Sequence, residues 1–137
     1  MTKLKKRKSL SQLHRDLDIA FSRYIRGRDC EGKQGYGICI SCNHTITYHT
    51  SEAGHFIKRG KQNVRWDVRN VHAQCWECNR NPGQNIERDH REGLEIRIGA
   101  TRLAELENDH ENNPVPTRAE KEEMLAKFRS LAREYAV

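Results

Sequence analysis

Two C-x2-C pairs, Cys39 with Cys42 and Cys75 with Cys78, constrain this chain more than any other feature. Each such turn aims two thiolates at one point, and two turns together complete a closed tetrahedral zinc site. The rest of the sequence benefits from a staple. Only 35% of the 137 residues are hydrophobic and 32% are charged, so side chains alone build a thin core. No apolar segment follows the basic N-terminus, and no run of 18 apolar residues occurs. The expected location is therefore the cytoplasm, with no membrane partner. In that reducing compartment paired cysteines read as metal ligands and not as disulfides. Four thiolates leave no position for water, so the zinc is expected to be structural. Its binding free energy then becomes folding free energy, on the order of 10 kcal/mol in small zinc modules. Cys30 has no partner at ligand spacing and reads as an ordinary loop or packing thiol.

Charge points to a polyanionic partner. The net charge is +6, and it is uneven: residues 1–100 carry 19 Lys/Arg against 11 Asp/Glu, whereas residues 101–137 carry 6 against 8. Residues 1–8, "MTKLKKRK", form a tail with five basic side chains. A basic run alone is often only a solvated tail. Combined with a basic body it favours nucleic acid.

Local signals lay out the elements. Ser9 and Gln12 have capping-box spacing before a helix over 9–28, whose apolar face holds Leu10, Leu13, Leu17, Ala20, Phe21, Tyr24 and Ile25. Glycines make 31–37 a loop. The first cysteine pair then lies in alternating apolar and β-branched residues, as in a short hairpin, and "EAGHFIKRG" reads as another brief strand. A short helix is expected over 75–81, interrupted by Pro82 and Gly83. Asn85 is placed to cap a further helix ending near Ile98, before Gly99. Residues 101–116 read as a linker, polar in "NDHENNPVP". Thr117 and Glu120 form a capping box for a last helix over 117–137. Its stripe of Met124, Leu125, Phe128, Leu131, Ala132 and Tyr135 is expected to pack on the body or on a second subunit.

The 32 residues between Cys42 and Cys75 are too many for a minimal zinc knuckle. They hold His55, which lies 15 residues before Asn70, and Asn70 lies 9 before Asn79, the residue directly after Cys78. In this layout the sequence resembles the zinc-stapled branch of the HNH nucleases, the His-Me finger or ββα-metal superfamily, and is similar to the endonuclease VII group. The blocks "FSRYIRGRD", "CISC", "AGHF", "VRWDVRNVHAQCWECN", "GQNI" and "RIG" look like the lambdoid-phage NinG/Rap recombination nucleases, from about residue 17 to 100. The fold expected from this is α+β: a zinc-stapled ββα-metal (HNH, treble-clef-like) core within residues 9–100, flanked by N-terminal and C-terminal helices.

The resemblance implies a metal-dependent DNA endonuclease that cleaves branched recombination intermediates such as Holliday junctions or D-loops. It makes His55 the general base, since a neutral imidazole near pH 7 suits water deprotonation. Asn70 would hold the loop or orient His55, and Asn79 would bind a catalytic magnesium or manganese ion. Arg59, Lys61 and Arg65 sit where cations could meet phosphate. The residue before the histidine is usually a metal-binding acid in HNH proteins, but here it is Gly54. Glu52 is the candidate partner of Asn79, because carboxylates are good hard-oxygen ligands, and Asp67 is the reserve. His72 is either a supporting residue or strand packing. His44, His49, His90 and His110 read as surface residues, and Trp66 and Trp76 as core. Cutting two opposed strands of a junction suggests a possible homodimer. The alternative function is a non-catalytic zinc-containing DNA-binding module.

Overall fold

The computed structural model describes residues 6–81 and 83–137. Most of the basic tail, residues 1–5, and Pro82 lie outside the described residues. Helix α1 (Leu10–Cys30) starts where Ser9 Oγ accepts from Gln12 N at 3.1 Å. The capping box is only half formed, because the Gln12 side chain donates to Asp16 instead. At the far end Glu31 takes the left-handed conformation (φ 56°) and closes the helix. A hairpin of β1 (Tyr36–Ile38) and β2 (Thr45–Thr47) follows, then a second antiparallel pair, β3 (Ser51–His55) and β4 (Val71–Cys75). In the second pair Ser51 faces Cys75 and His55 faces Val71. Cys75 itself caps α2 (Trp76–Arg80), so strand, cysteine turn and short helix run on without a loop.

The chain differs from expectation beyond Gly83. Helix α3 (Gln84–Ile98) is preceded by Gly83, and Asn85 lies inside it. Gly99 does end α3, with φ 88°, but the chain restarts at once as α4 (Ala100–Asn112). The linker expected over 101–116 is therefore mostly helix. Leu103 and Leu106 are buried with Leu94 and Val64, which gives this polar helix an apolar face. Its C-terminal carbonyls are held by Asn63 Nδ2, 2.7 Å from the His110 oxygen and 3.4 Å from that of Asp109. Only residues 113–117 lie outside helices before α5 (Arg118–Glu134), with Thr117 as its extended N-cap.

Helix α5 carries the complete capping box of Thr117 and Glu120. Its apolar stripe packs on α1, with Phe128 edge-on to Phe21 at 4.7 Å between ring centroids. The body buries Leu125, Phe128 and Ala132 of this stripe. The resulting core joins Leu13, Leu17, Phe21 and Ile25 of α1 to Leu125 and Phe128, and adds Trp66 and Val71. A second cluster surrounds the cysteines with Cys30, Ile46, Tyr48 and Ala73. Cys30 is thus a fully buried packing residue. The architecture is α+β: two small two-stranded sheets between helices.

Candidate functional site

The four cysteine sulfurs all lie within 4.8 Å of one another. A tetrahedral zinc with bonds of about 2.3 Å demands sulfurs about 3.8 Å apart, and Cys42 Sγ and Cys75 Sγ are separated by 3.8 Å. Backbone N–H groups already aim at the cluster, Cys75 N at Cys39 Sγ (3.3 Å) and Cys78 N at Cys75 Sγ (3.5 Å). Burial and the neighbouring Cys75 hold the Cys78 thiol well above the usual thiol range. A cation at the centre would reverse that, since thiolates need a positive partner there. The donor set fits one zinc ion.

This cluster ties the first hairpin to the β4–α2 turn and so fixes Asn79, one residue beyond Cys78. Across β3 from it, the 56–70 loop is organised by Asn70, which is fully buried. Its Oδ1 accepts from Ile57 N at 2.7 Å, while Nδ2 donates to the carbonyls of Ile57 (3.0 Å) and Val64 (3.1 Å). Of the two roles expected for Asn70, the contacts are those of holding the loop. The loop in turn presents the Arg65 carbonyl to His55 Nε2 at 2.9 Å. A carbonyl can only accept, so Nε2 carries the proton and Nδ1 keeps its lone pair. Burial lowers the His55 pKa below its ordinary value, against the opposing pull of the Arg65 carbonyl and the Asp18 charge. His55 is neutral near pH 7.

His55 borders a groove of about 780 Å³ that also meets Glu52 and Asn79. Arg23, Arg26, Lys58, Arg59 and Arg80 line the same groove. Glu52 Oε1 accepts from Asn79 Nδ2 at 2.9 Å, so the two residues paired on sequence grounds do meet. Arg80 also grips that carboxylate at 2.7 Å and, with Asn79, holds it below the usual carboxylate range. A side chain at position 54 would displace Gln74, because a Cβ there would lie 2.1 Å from Gln74 Oε1 and 2.9 Å from its Cβ. Asp67 is occupied elsewhere, by the Arg69 guanidinium at 2.6 Å. The three proposed phosphate contacts separate. Arg59 is exposed on the groove; Lys61 is exposed but is not among its lining residues. Arg65 is not available as expected: both its Nε and a terminal nitrogen are bonded to the Asp18 carboxylate.

Residues 1–135 match the family described as NinG, bacteriophage lambda NinG protein. The chain belongs to the NinG family. Protein ninG of Salmonella phage P22 is 35% identical over 95 residues, covering 69% of this chain and 43% of that protein. Protein ninG of Escherichia phage lambda is 34% identical over 92 residues, covering 66% of this chain and 42% of that protein. The match thus spans less than half the length of these NinG relatives. No solved structure matches the chain.

Besides the groove cations Arg23, Arg26, Lys58 and Arg80, two further site residues of this NinG chain escaped sequence reasoning. Asp18 lies on α1 and accepts from Arg65 and from Trp66 Nε1 (2.9 Å), anchoring the segment whose carbonyl holds His55. Its only sequence signal is a lone carboxylate on the helix, which nothing local distinguishes. His90, expected on the surface, is 6% exposed. It borders a second cavity of about 380 Å³ that shares His55, Lys58 and Asn79 with the groove. Burial pushes its pKa down to about 4, with the neighbouring His55 adding to the shift. His72 is buried strand packing, and His44 and His49 are exposed as expected. Trp66 is core, but Trp76 is 58% exposed, contrary to expectation.

Proposed function

We propose that this NinG-family chain is a metal-dependent DNA endonuclease of the HNH type, acting on branched recombination intermediates. One observation carries the chemistry: His55 is pinned through Nε2 by the Arg65 carbonyl and borders a cation-lined groove. That leaves Nδ1 as the base, which takes a proton from the water that attacks phosphorus. Asn70 keeps the loop and hence the imidazole in place. Lys58, Arg59 and Arg23 receive backbone phosphates along the groove. A magnesium or manganese ion, which Glu52 and Asn79 would hold, supplies charge stabilisation at the phosphate and the leaving 3′ oxygen. Zinc at the four thiolates is structural in this reading, because the closed set admits no water. The branched substrate is inferred from resemblance to the lambdoid recombination nucleases; charge alone argues only for a polyanion.

The second reading, a non-catalytic DNA-binding zinc module, is favoured by one contact. Arg80 already neutralises Glu52, so metal binding requires the guanidinium to move, which its 59% exposed side chain permits. A labelled four-way junction incubated with magnesium, with manganese or with no added divalent ion separates the two. The nuclease reading expects nicking only with metal, reduced about 10²–10⁴-fold by His55→Ala and abolished by Asn79→Ala, at unchanged zinc content and junction affinity. Undiminished nicking by His55→Ala would sink the mechanism.

A further inference from the structure

Trp76 is the one tryptophan of this chain that does not enter a core. Its side chain stands out from the first turn of α2, 58% exposed, while Trp66 is 3% exposed. The cause is local. Cys75 and Cys78 must both turn toward the thiolate cluster, and Asn79 and Arg80 line the groove. Position 76 is thereby directed to solvent, where the indole presents a large flat ring with one polar N–H edge. Trp76 and Arg80 are four residues apart on the same helix, so they share a face. The Arg80 guanidinium lies 5.7 Å from the indole centroid and at the same time lines the groove. An open aromatic face thus stands one side chain from a groove lined by five cationic side chains.

We infer that Trp76, backed by Arg80, is a stacking platform for an unpaired base of the nucleic acid whose backbone lies in the groove. The inference rests on the proposed DNA-binding function and names the substrate feature that it selects. In an intact duplex both faces of every base are covered by neighbours, so the indole finds no partner. At a branch point, a strand end or a single strand a base face is free, and indole stacking is favourable with any base. Charge in the groove supplies affinity for every DNA; the indole adds discrimination in favour of distorted DNA.

The test uses intrinsic fluorescence of the zinc-loaded chain without added magnesium. A fully paired duplex, a single strand of the same length and a four-way junction are each titrated in. Quenching of the tryptophan emission is expected with the single strand and the junction, to be nearly absent with the duplex, and to be lost in Trp76→Phe, which leaves buried Trp66 as the one tryptophan. Trp76→Ala should weaken single-strand and junction binding about five- to 150-fold, the range for losing one stacked base. Duplex affinity should stay within about twofold, and Trp76→Phe should recover most of the lost affinity because a ring remains. Zinc content and the thermal transition confirm that the variants fold. Equal quenching by the duplex, or equal loss of affinity for all three DNAs, overturns the inference. So does unchanged DNA affinity in Trp76→Ala accompanied by a lower sedimenting mass, which makes the ring a protein contact. Nicking that depends on His55 but not on Trp76 leaves the nuclease reading intact; selective quenching without nicking leaves the stacking platform and removes the nuclease.

Discussion

Replacing Asn70 with alanine should cost both stability and activity, although the residue is fully buried and reaches no surface. Its amide makes three hydrogen bonds, to Ile57 N, Ile57 O and Val64 O, at 2.7, 3.0 and 3.1 Å. A net contribution of about 1 kcal/mol each gives roughly 3 kcal/mol. Leaving a buried N–H and two carbonyls unpaired raises the loss toward about 4 or 5 kcal/mol. At about 3 °C per kcal/mol for a chain of this size, the thermal midpoint should fall by about 10–15 °C. Because the same loop presents the Arg65 carbonyl to His55, nicking should fall even at temperatures where the variant is folded. Asn70→Asp is the control. It keeps an acceptor for Ile57 N but turns a carboxylate oxygen toward two carbonyls, so it should destabilise at least as much. Denaturant melts with unchanged m-values, alongside a single-turnover nicking assay at a temperature well below both transitions, measure the two effects. A loss under about 1 kcal/mol for Asn70→Ala would refute the view that this side chain organises the loop.

Three further outcomes are expected. Metal analysis should find one zinc per chain, and Cys39→Ser or Cys78→Ser should lose it and unfold the β-hairpin and β4–α2 region by circular dichroism; zinc-free, folded wild type would remove the staple. Deleting residues 1–8 should weaken junction binding and flatten its salt dependence, by about 0.9 in the log–log slope for each phosphate contact removed, while cleavage at saturating protein persists; an unchanged slope would mean the tail is merely solvated. Stability should fall as pH drops from the unfolded-state histidine value of about 6.5 toward the folded value of His90, about 4. In that window the unfolded chain binds the extra proton, at about 1.4 kcal/mol per pH unit per site. His90→Gln should lower the slope by up to one proton, and an identical slope in equilibrium melts would show that His90 is not buried neutral.

What the sequence determined by itself is what depends on neighbours along the chain. The caps at Ser9 and Thr117 act within one helical turn. The C-x2-C turns bring two thiols together wherever they occur, and the α1 and α5 stripes follow the helical period. The family resemblance added His55, Asn70 and Asn79, together with Glu52 as the partner of Asn79 at a metal; in the fold the two side chains are joined by a 2.9 Å hydrogen bond. Tertiary structure decided the remainder, because the deciding partners are far apart in sequence. Arg65 faces Asp18, 47 residues away, and so is withdrawn from the groove. Residues 100–112 are helical because Leu103 and Leu106 find Leu94 and Val64 and because Asn63 closes the helix end, while their own composition reads as a polar linker. His90 is buried by the chain folding α3 against Phe56, 5.6 Å between ring centroids. Trp76 is exposed because Cys75 and Cys78 commit the other face of a five-residue helix to the cluster. Burial and charge pairing are properties of the folded arrangement, and hydrophobicity read along a chain carries only the part of them that is local.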